Sequence, residues 1–103
     1  MLNIVKTIED GKAVLALGGR LDTVTAPVLE KELKPVLSEL RELTMDLTDL
    51  EYISSAGLRV LLSAQKTLGN EGAMKLTHVN ETVMEVFEVT GFTDILTIEE
   101  DKA

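Results

Sequence analysis

The apolar residues of this chain change their period several times between the N-terminus and residue 98, and that alternation restricts the fold more than any other feature. Residues 2–8 read as a β-strand and Asp10-Gly11 as a turn. Residues 12–18, KAVLALG, read as a second short strand, so the first two elements are expected to form a hairpin. From Thr25 the spacing becomes helical: Ala26, Leu29, Leu33, Val36, Leu37 and Leu40 recur on one face, with Glu30, Lys31, Glu32, Lys34 and Glu39 on the others. Pro27 suits the first turn, where its missing N–H costs nothing. Pro35 does not suit an interior and would cost ~3 kcal/mol there, which predicts a kink on the solvent side or a shorter helix.

The pattern then repeats. Residues 43–47, LTMDL, predict a third strand. From Gly57 an apolar stripe of Gly57, Val60, Leu61, Ala64 and Leu68 opposes a polar one of Arg59, Ser63, Lys66 and Asn70, which is a helix with an exposed face. Gly69 or Gly72 is expected to end it in a left-handed cap. Residues 73–77 predict a fourth strand, residues 81–90 a short helix packed through Val83, Val86 and Phe87, and residues 95–98 a last strand. The order ββαβαβαβ favours parallel pairing with right-handed crossovers. The fold class is therefore α/β, a mixed sheet with helices.

Composition enters by exclusion. A length of 103 residues with 45% hydrophobic content predicts one domain, 1–103, with a single core. The absence of cysteine removes disulfides and thiolate chemistry. No run approaches the ~20 apolar residues needed to span a membrane, and residues 1–6 lack a signal-peptide pattern, so a cytoplasmic protein without membrane insertion is expected. A net charge of −8 argues against nucleic acid as a partner.

Between the third strand and the second helix lies DLEYISSAGLRVLL, residues 49–62. Loops after strand C-termini are where open α/β sheets meet ligands and partners. Ser54 and Ser55 stand there at a helix entrance. Either could cap the helix by accepting a backbone N–H bond, and capping alone accounts for a Ser-Ser pair. The helix dipole would also favour an anion at that end, a phosphate on a serine included. Residue spacing leaves both roles open.

The segment DLTDLEYISSAGLRVLL resembles the signature of the STAS domain, the family of bacterial anti-sigma factor antagonists. In that family a strand leads to Asp-Ser-Ser/Thr/Ala-Gly-Leu at a helix start. Residues 18–33, GGRLDTVTAPVLEKEL, are similar to the family's Gly-x-Leu-Asp and first helix. The resemblance covers essentially the whole chain. Aligned on Gly57-Leu58, it places the phosphorylated serine at Ser55, with Ala56 as the small residue after it. Ser54 stands where the family has aspartate, a departure that removes a carboxylate and supplies a competing acceptor. Asp22 matches the family's first-loop aspartate; a turn or cap role would explain it equally.

The resemblance implies an anti-sigma factor antagonist that binds an anti-sigma factor/serine kinase. Phosphorylation ends the binding and a serine phosphatase restores it. The implied partner surface is Asp22, Thr23, Ser54, Ala56, Gly57 and Arg59. No catalytic activity, cofactor or metal is expected. The alternatives are a small non-catalytic subunit of an ABC-type lipid transport complex and an esterase-like hydrolase. For the hydrolase, His78 is the one histidine, far in sequence from the serines, and no nucleophile-elbow pattern accompanies it. His78 is read as a surface residue, and with scattered carboxylates it gives no metal spacing. Gly18-Gly19 lacks the further glycines of a dinucleotide loop and is read as a strand-end bend. Tyr52, Phe87 and Phe92 are too scattered for a base-stacking platform. Met45, Met74 and Met84 are read as core filler.

Overall fold

The computed structural model describes residues 1–68 and 73–99. Strands β1 (Leu2–Glu9) and β2 (Lys12–Leu21) pair antiparallel in unbroken register from Leu2↔Gly19 to Glu9↔Lys12. The two residues between them, Asp10 and Gly11, both have positive φ, 51° and 77°, as a two-residue hairpin turn requires. The chain continues through α1 (Ala26–Leu37), β3 (Glu42–Ile53), α2 (Ser55–Leu68), β4 (Ala73–Thr77), α3 (Glu81–Thr90), a 3₁₀ turn (Phe92–Asp94) and β5 (Ile98–Glu99). The five strands lie in the order β1-β2-β3-β4-β5, and every pair after the hairpin is parallel. The α/β class and the element order follow the sequence expectation.

Register explains the layers. Ala13↔Leu43↔Met74 and Leu15↔Met45↔Leu76 are aligned across three strands, and all six are buried. The alternate rows, Lys12↔Glu42 and Val14↔Thr44↔Lys75, are exposed or half-buried. All the apolar rows therefore face one way, where Leu29 and Leu33 of α1, Leu61 and Ala64 of α2, and Val83 and Phe87 of α3 close the core. No helix among the described residues is long and apolar enough to cross a membrane.

Several bounds differ from expectation for identifiable reasons. α1 runs through Pro35, whose ring lies on the exposed side, but ends two residues later at Leu37. Proline has no N–H to continue the ladder, so Leu40 is buried from a turn rather than from the helix. α2 is described to Leu68, and Gly69, Asn70 and Gly72, named above for a cap and a polar stripe, lie outside the described residues. α3 has the expected span. Asn80 caps it by accepting the Val83 N–H at 2.9 Å, and Gly91 ends it with φ 80°. Met45 and Met74 are core residues, and Met84 packs against the core while half-buried.

Two corrections concern strands. Gly18-Gly19 is not a strand-end bend: β2 continues through it to Leu21. Gly19 has φ +91°, and a Cβ there would lie 2.2 Å from the Met1 carbonyl oxygen, so only glycine fits the close approach of the N-terminal strand. The last strand is Ile98–Glu99 rather than 95–98. After Gly91 the chain turns through the 3₁₀ segment, leaving Ile95 45% exposed and burying Leu96, before pairing Ile98 and Glu99 with Leu76 and Thr77.

Candidate functional site

β3 spans Glu42–Ile53, one residue earlier and six residues later than the 43–47 expected. Its second half contains exposed Thr48, Asp49 and Glu51, which no alternation would assign to a strand. Pairing with β2 holds it instead. The register moves from Ala16↔Asp46 to Gly18↔Asp49 and again from Gly19↔Leu50 to Arg20↔Tyr52, so β3 accommodates two extra residues opposite β2. The two strands end level, at Leu21↔Ile53. The Ser54 N–H then donates to the Leu21 carbonyl at 2.9 Å. That bond places the Asp22 loop and the start of α2 side by side on one rim of the sheet.

Ser55 is the first residue of α2 and is exposed. No acidic residue lies in the first turn, so the helix supplies no carboxylate of its own to its N-terminal N–H groups. Ser54 stands at the cap position, its carbonyl accepting the Leu58 N–H at 3.0 Å. Its side chain does not make the expected cap bond: Oγ is sealed from solvent and has no hydrogen-bond partner. The two hydroxyls that sequence spacing left equivalent are thus in opposite environments.

Gly57 is buried beneath the helix start. A Cβ there would meet Leu21 Cγ at 2.7 Å and Ile53 Cγ1 at 2.9 Å. Its position therefore sets how closely α2 approaches the ends of β2 and β3, and it offers no surface to a partner. Thr23, Ala56 and Arg59 do reach the surface together. With Pro27, Glu30 and Ser63 they line a shallow hollow of about 330 Å³ between the N-terminal ends of α1 and α2.

Asp22 is half-buried and fully engaged through one oxygen. Oδ1 accepts the Val24 and Thr25 N–H groups, each at 3.0 Å, while Oδ2 lies 3.8 Å from Arg20 Nε. The Thr25 N–H is the main group holding this carboxyl below the usual range; burial opposes it, and the Thr25 hydroxyl, the Val24 N–H and the Arg20 charge add smaller lowering effects. Arg20 also lies over the Tyr52 ring, 4.4 Å from its centroid. Sequence reasoning gave Arg20, Tyr52 and Thr25 no part in the site. The available signal was positional, since Arg20 and Tyr52 each stand two residues before a site residue, Asp22 and Ser54.

His78 lies at the end of β4. Its Nδ1 is 3.3 Å from Asp46 Oδ1 and 3.2 Å from Thr77 Oγ1. Half-exposed in this setting, it faces a carboxylate on the adjacent strand. Among the described residues no group of three or more His, Asp or Glu side chains is arranged to hold a metal ion.

A five-stranded sheet with parallel crossovers, an aspartate-bearing loop and a serine-led helix meeting on one rim are the features that the STAS resemblance anticipated. The STAS domain family model matches residues 3–103, and the chain belongs to that family. It is similar to the anti-sigma-B factor antagonist of Bacillus subtilis (strain 168), 32% identical over 83 residues, covering 80% of this chain and 76% of that one. It is also similar to the anti-sigma-B factor antagonist of Staphylococcus aureus (strain NCTC 8325 / PS 47), 31% identical over 101 residues, covering 96% and 94%. Among solved structures, an anti-sigma factor antagonist from Mycobacterium paratuberculosis superposes with a TM-score of 0.86. The identity is 25%, over 95% of this chain and 85% of that one.

Proposed function

We propose that this chain is an anti-sigma factor antagonist whose partner binding is controlled by phosphorylation of Ser55. In the unmodified form it docks on an anti-sigma factor that is also a serine kinase and so releases a sigma factor. The kinase then transfers a phosphoryl group from ATP to Ser55 Oγ, the hydroxyl proton passing to a base on the kinase and ADP leaving. A phosphatase hydrolyses the phosphoserine and returns the antagonist.

The observation that carries this reading is the contrast between two adjacent hydroxyls: Ser55 is exposed at a helix start without acidic residues, whereas Ser54 Oγ is sealed. A kinase can reach the first without local opening. The helix N-terminus then offers the phosphate a favourable field. The same modification adds about −1.5 to −2 charges beside Asp22, on a chain of net charge −8, which alters any surface docked there. Asp22, Thr23, Ala56 and Arg59 supply that surface, while Ser54 and Gly57 shape it from below.

The test begins with capture of partners from the source cell on the tagged, unmodified chain, identified by mass spectrometry. The purified partner is then incubated with the chain and ATP, and phosphopeptides are mapped. The expected outcome is an anti-sigma factor kinase that modifies Ser55 and leaves Ser55→Ala unlabelled. Modification confined to Ser54, or undiminished labelling of Ser55→Ala, would overturn the assignment. Stable capture of a transport ATPase without phosphorylation would replace the reading with that of a constitutive subunit.

A further inference from the structure

Thr25 and Thr77 are the two buried polar residues among those described, each 8% exposed. Thr25 occupies the cap position of α1, yet its side chain makes no cap bond to that helix. Its hydroxyl turns back into the loop. Oγ1 accepts the Asp22 N–H at 2.8 Å and lies 2.7 Å from the Arg20 carbonyl and 3.2 Å from Asp22 Oδ1. A hydroxyl has a single proton to give, and here it is shared between the nearer Arg20 carbonyl and Asp22 Oδ1. One side chain thereby ties the residue before Leu21 to the residue after it and braces the carboxylate that follows.

The result is an asymmetric carboxylate. Asp22 Oδ1 is occupied by the Val24 and Thr25 N–H groups with Thr25 Oγ1 beside it, and Oδ2 is left with Arg20 Nε at 3.8 Å. We propose that Thr25 is a positioning residue of the partner site: its buried hydroxyl holds Asp22 in the rotamer that presents Oδ2 to the kinase partner. This rests on the reading of Asp22 as part of the partner surface. A valine at position 25 keeps the shape and removes both hydrogen-bonding roles, leaving the Asp22 N–H and the Arg20 carbonyl without their partner. A serine keeps both roles. Because the Thr25 hydroxyl is also among the groups that lower the Asp22 pKa, its loss also has an effect readable without any partner.

The experiment compares Thr25→Val, Thr25→Ser, Asp22→Asn and the double variant Thr25→Val/Asp22→Asn in calorimetric titrations against the anti-sigma factor kinase recovered by the capture described above. Carbon-13 NMR follows the Asp22 carboxyl through pH in parent, Thr25→Val and Thr25→Ser. The expected results are at least a tenfold weaker Thr25→Val, a Thr25→Ser within about twofold of the parent, and a double variant no weaker than Asp22→Asn. Such non-additivity marks two residues acting as one unit. The Asp22 carboxyl should titrate at higher pH in Thr25→Val, but not in Thr25→Ser. Parent-like binding by Thr25→Val beside a weakened Asp22→Asn would overturn the positioning role and leave the Asp22 reading intact. Parent-like binding by Asp22→Asn would overturn the Asp22 reading itself. Additive losses would mean that Thr25 acts independently of Asp22. If Thr25→Val does not fold, Thr25→Ala takes its place in the same comparison; if neither folds, Thr25 is a fold residue and the proposal is overturned.

Discussion

The Ser54 N–H donates to the Leu21 carbonyl at 2.9 Å, one step beyond the last paired residues of β2 and β3. Two segments distant in sequence, at Leu21 and Ser54, are joined at that point. Gly57 completes the junction, because no side chain fits between α2 and the Leu21 and Ile53 side chains. The candidate site is therefore built on strand ends and a helix start rather than on a long loop, which suits a surface that must keep one shape.

Gly57→Ala tests this packing. Alanine is the better helix former by about 1 kcal/mol. A Cβ at 2.7 Å and 2.9 Å from two buried side chains is, however, overpacked, at a cost of about 1–3 kcal/mol. The clash should win, and urea denaturation should show a net loss of stability. A stabilised Gly57→Ala would mean that α2 can shift outward at little cost.

Ser54→Ala should have the opposite sign. Its Oγ is sealed and unpaired, and a buried polar group left without a partner costs about 1–3 kcal/mol. Replacement by a methyl group of similar size should leave the chain as stable as the parent or slightly more so, by thermal denaturation. A clear loss would reveal a cap bond made in solution.

Ser55→Asp should keep a native circular-dichroism spectrum, since the helix entrance tolerates a carboxylate. Its one added charge falls short of a phosphate, yet it should weaken binding to the proposed kinase partner at least tenfold, about 1.4 kcal/mol. Ser55→Ala should bind like the parent. Equal binding of both variants in titration calorimetry would rule out control by charge at this position.

Asn80 has two roles that one substitution removes. Its Oδ1 caps α3 at Val83, and its Nδ2 donates to the Leu50 carbonyl at 2.5 Å, tying that helix to β3. Asn80→Ala should cost about 1–2 kcal/mol from the cap alone. For a domain of this size, each kcal/mol lowers Tm by about 4–8 °C. Scanning calorimetry reads the loss directly.

Acid stability should carry the mark of Asp46. The Thr48 hydroxyl is the main group lowering its pKa; burial opposes it, and the Thr48 N–H and neighbouring His78 add smaller lowering effects. A carboxyl whose folded pKa is depressed contributes stability above its unfolded pKa of about 4. That contribution is lost as the pH falls through the folded value. Asp46→Asn should therefore show a shallower decline than the parent in urea midpoints measured from about pH 6 down to pH 3. Parallel acid limbs would remove Asp46 from the account.

Local periodicity and turn chemistry account for the parts of the fold that short stretches of chain encode. The hairpin at Asp10-Gly11, the apolar face of α1 and the span of α3 are set by residues within a few positions of one another. The two motifs flanking Asp22 and Ser55 were equally legible. The far half of β3 was not, because Thr48, Asp49 and Glu51 have no strand pattern of their own and are held by bulged pairing to β2. Nor was the last strand, whose place depends on the turn after Gly91 and on two residues finding β4. The difference between Ser54 and Ser55 belongs to the tertiary structure as well. It arises where α2 packs closely on Leu21 and Ile53 through Gly57: the cap residue Ser54 has its Oγ sealed, while Ser55, the first helical residue, is exposed.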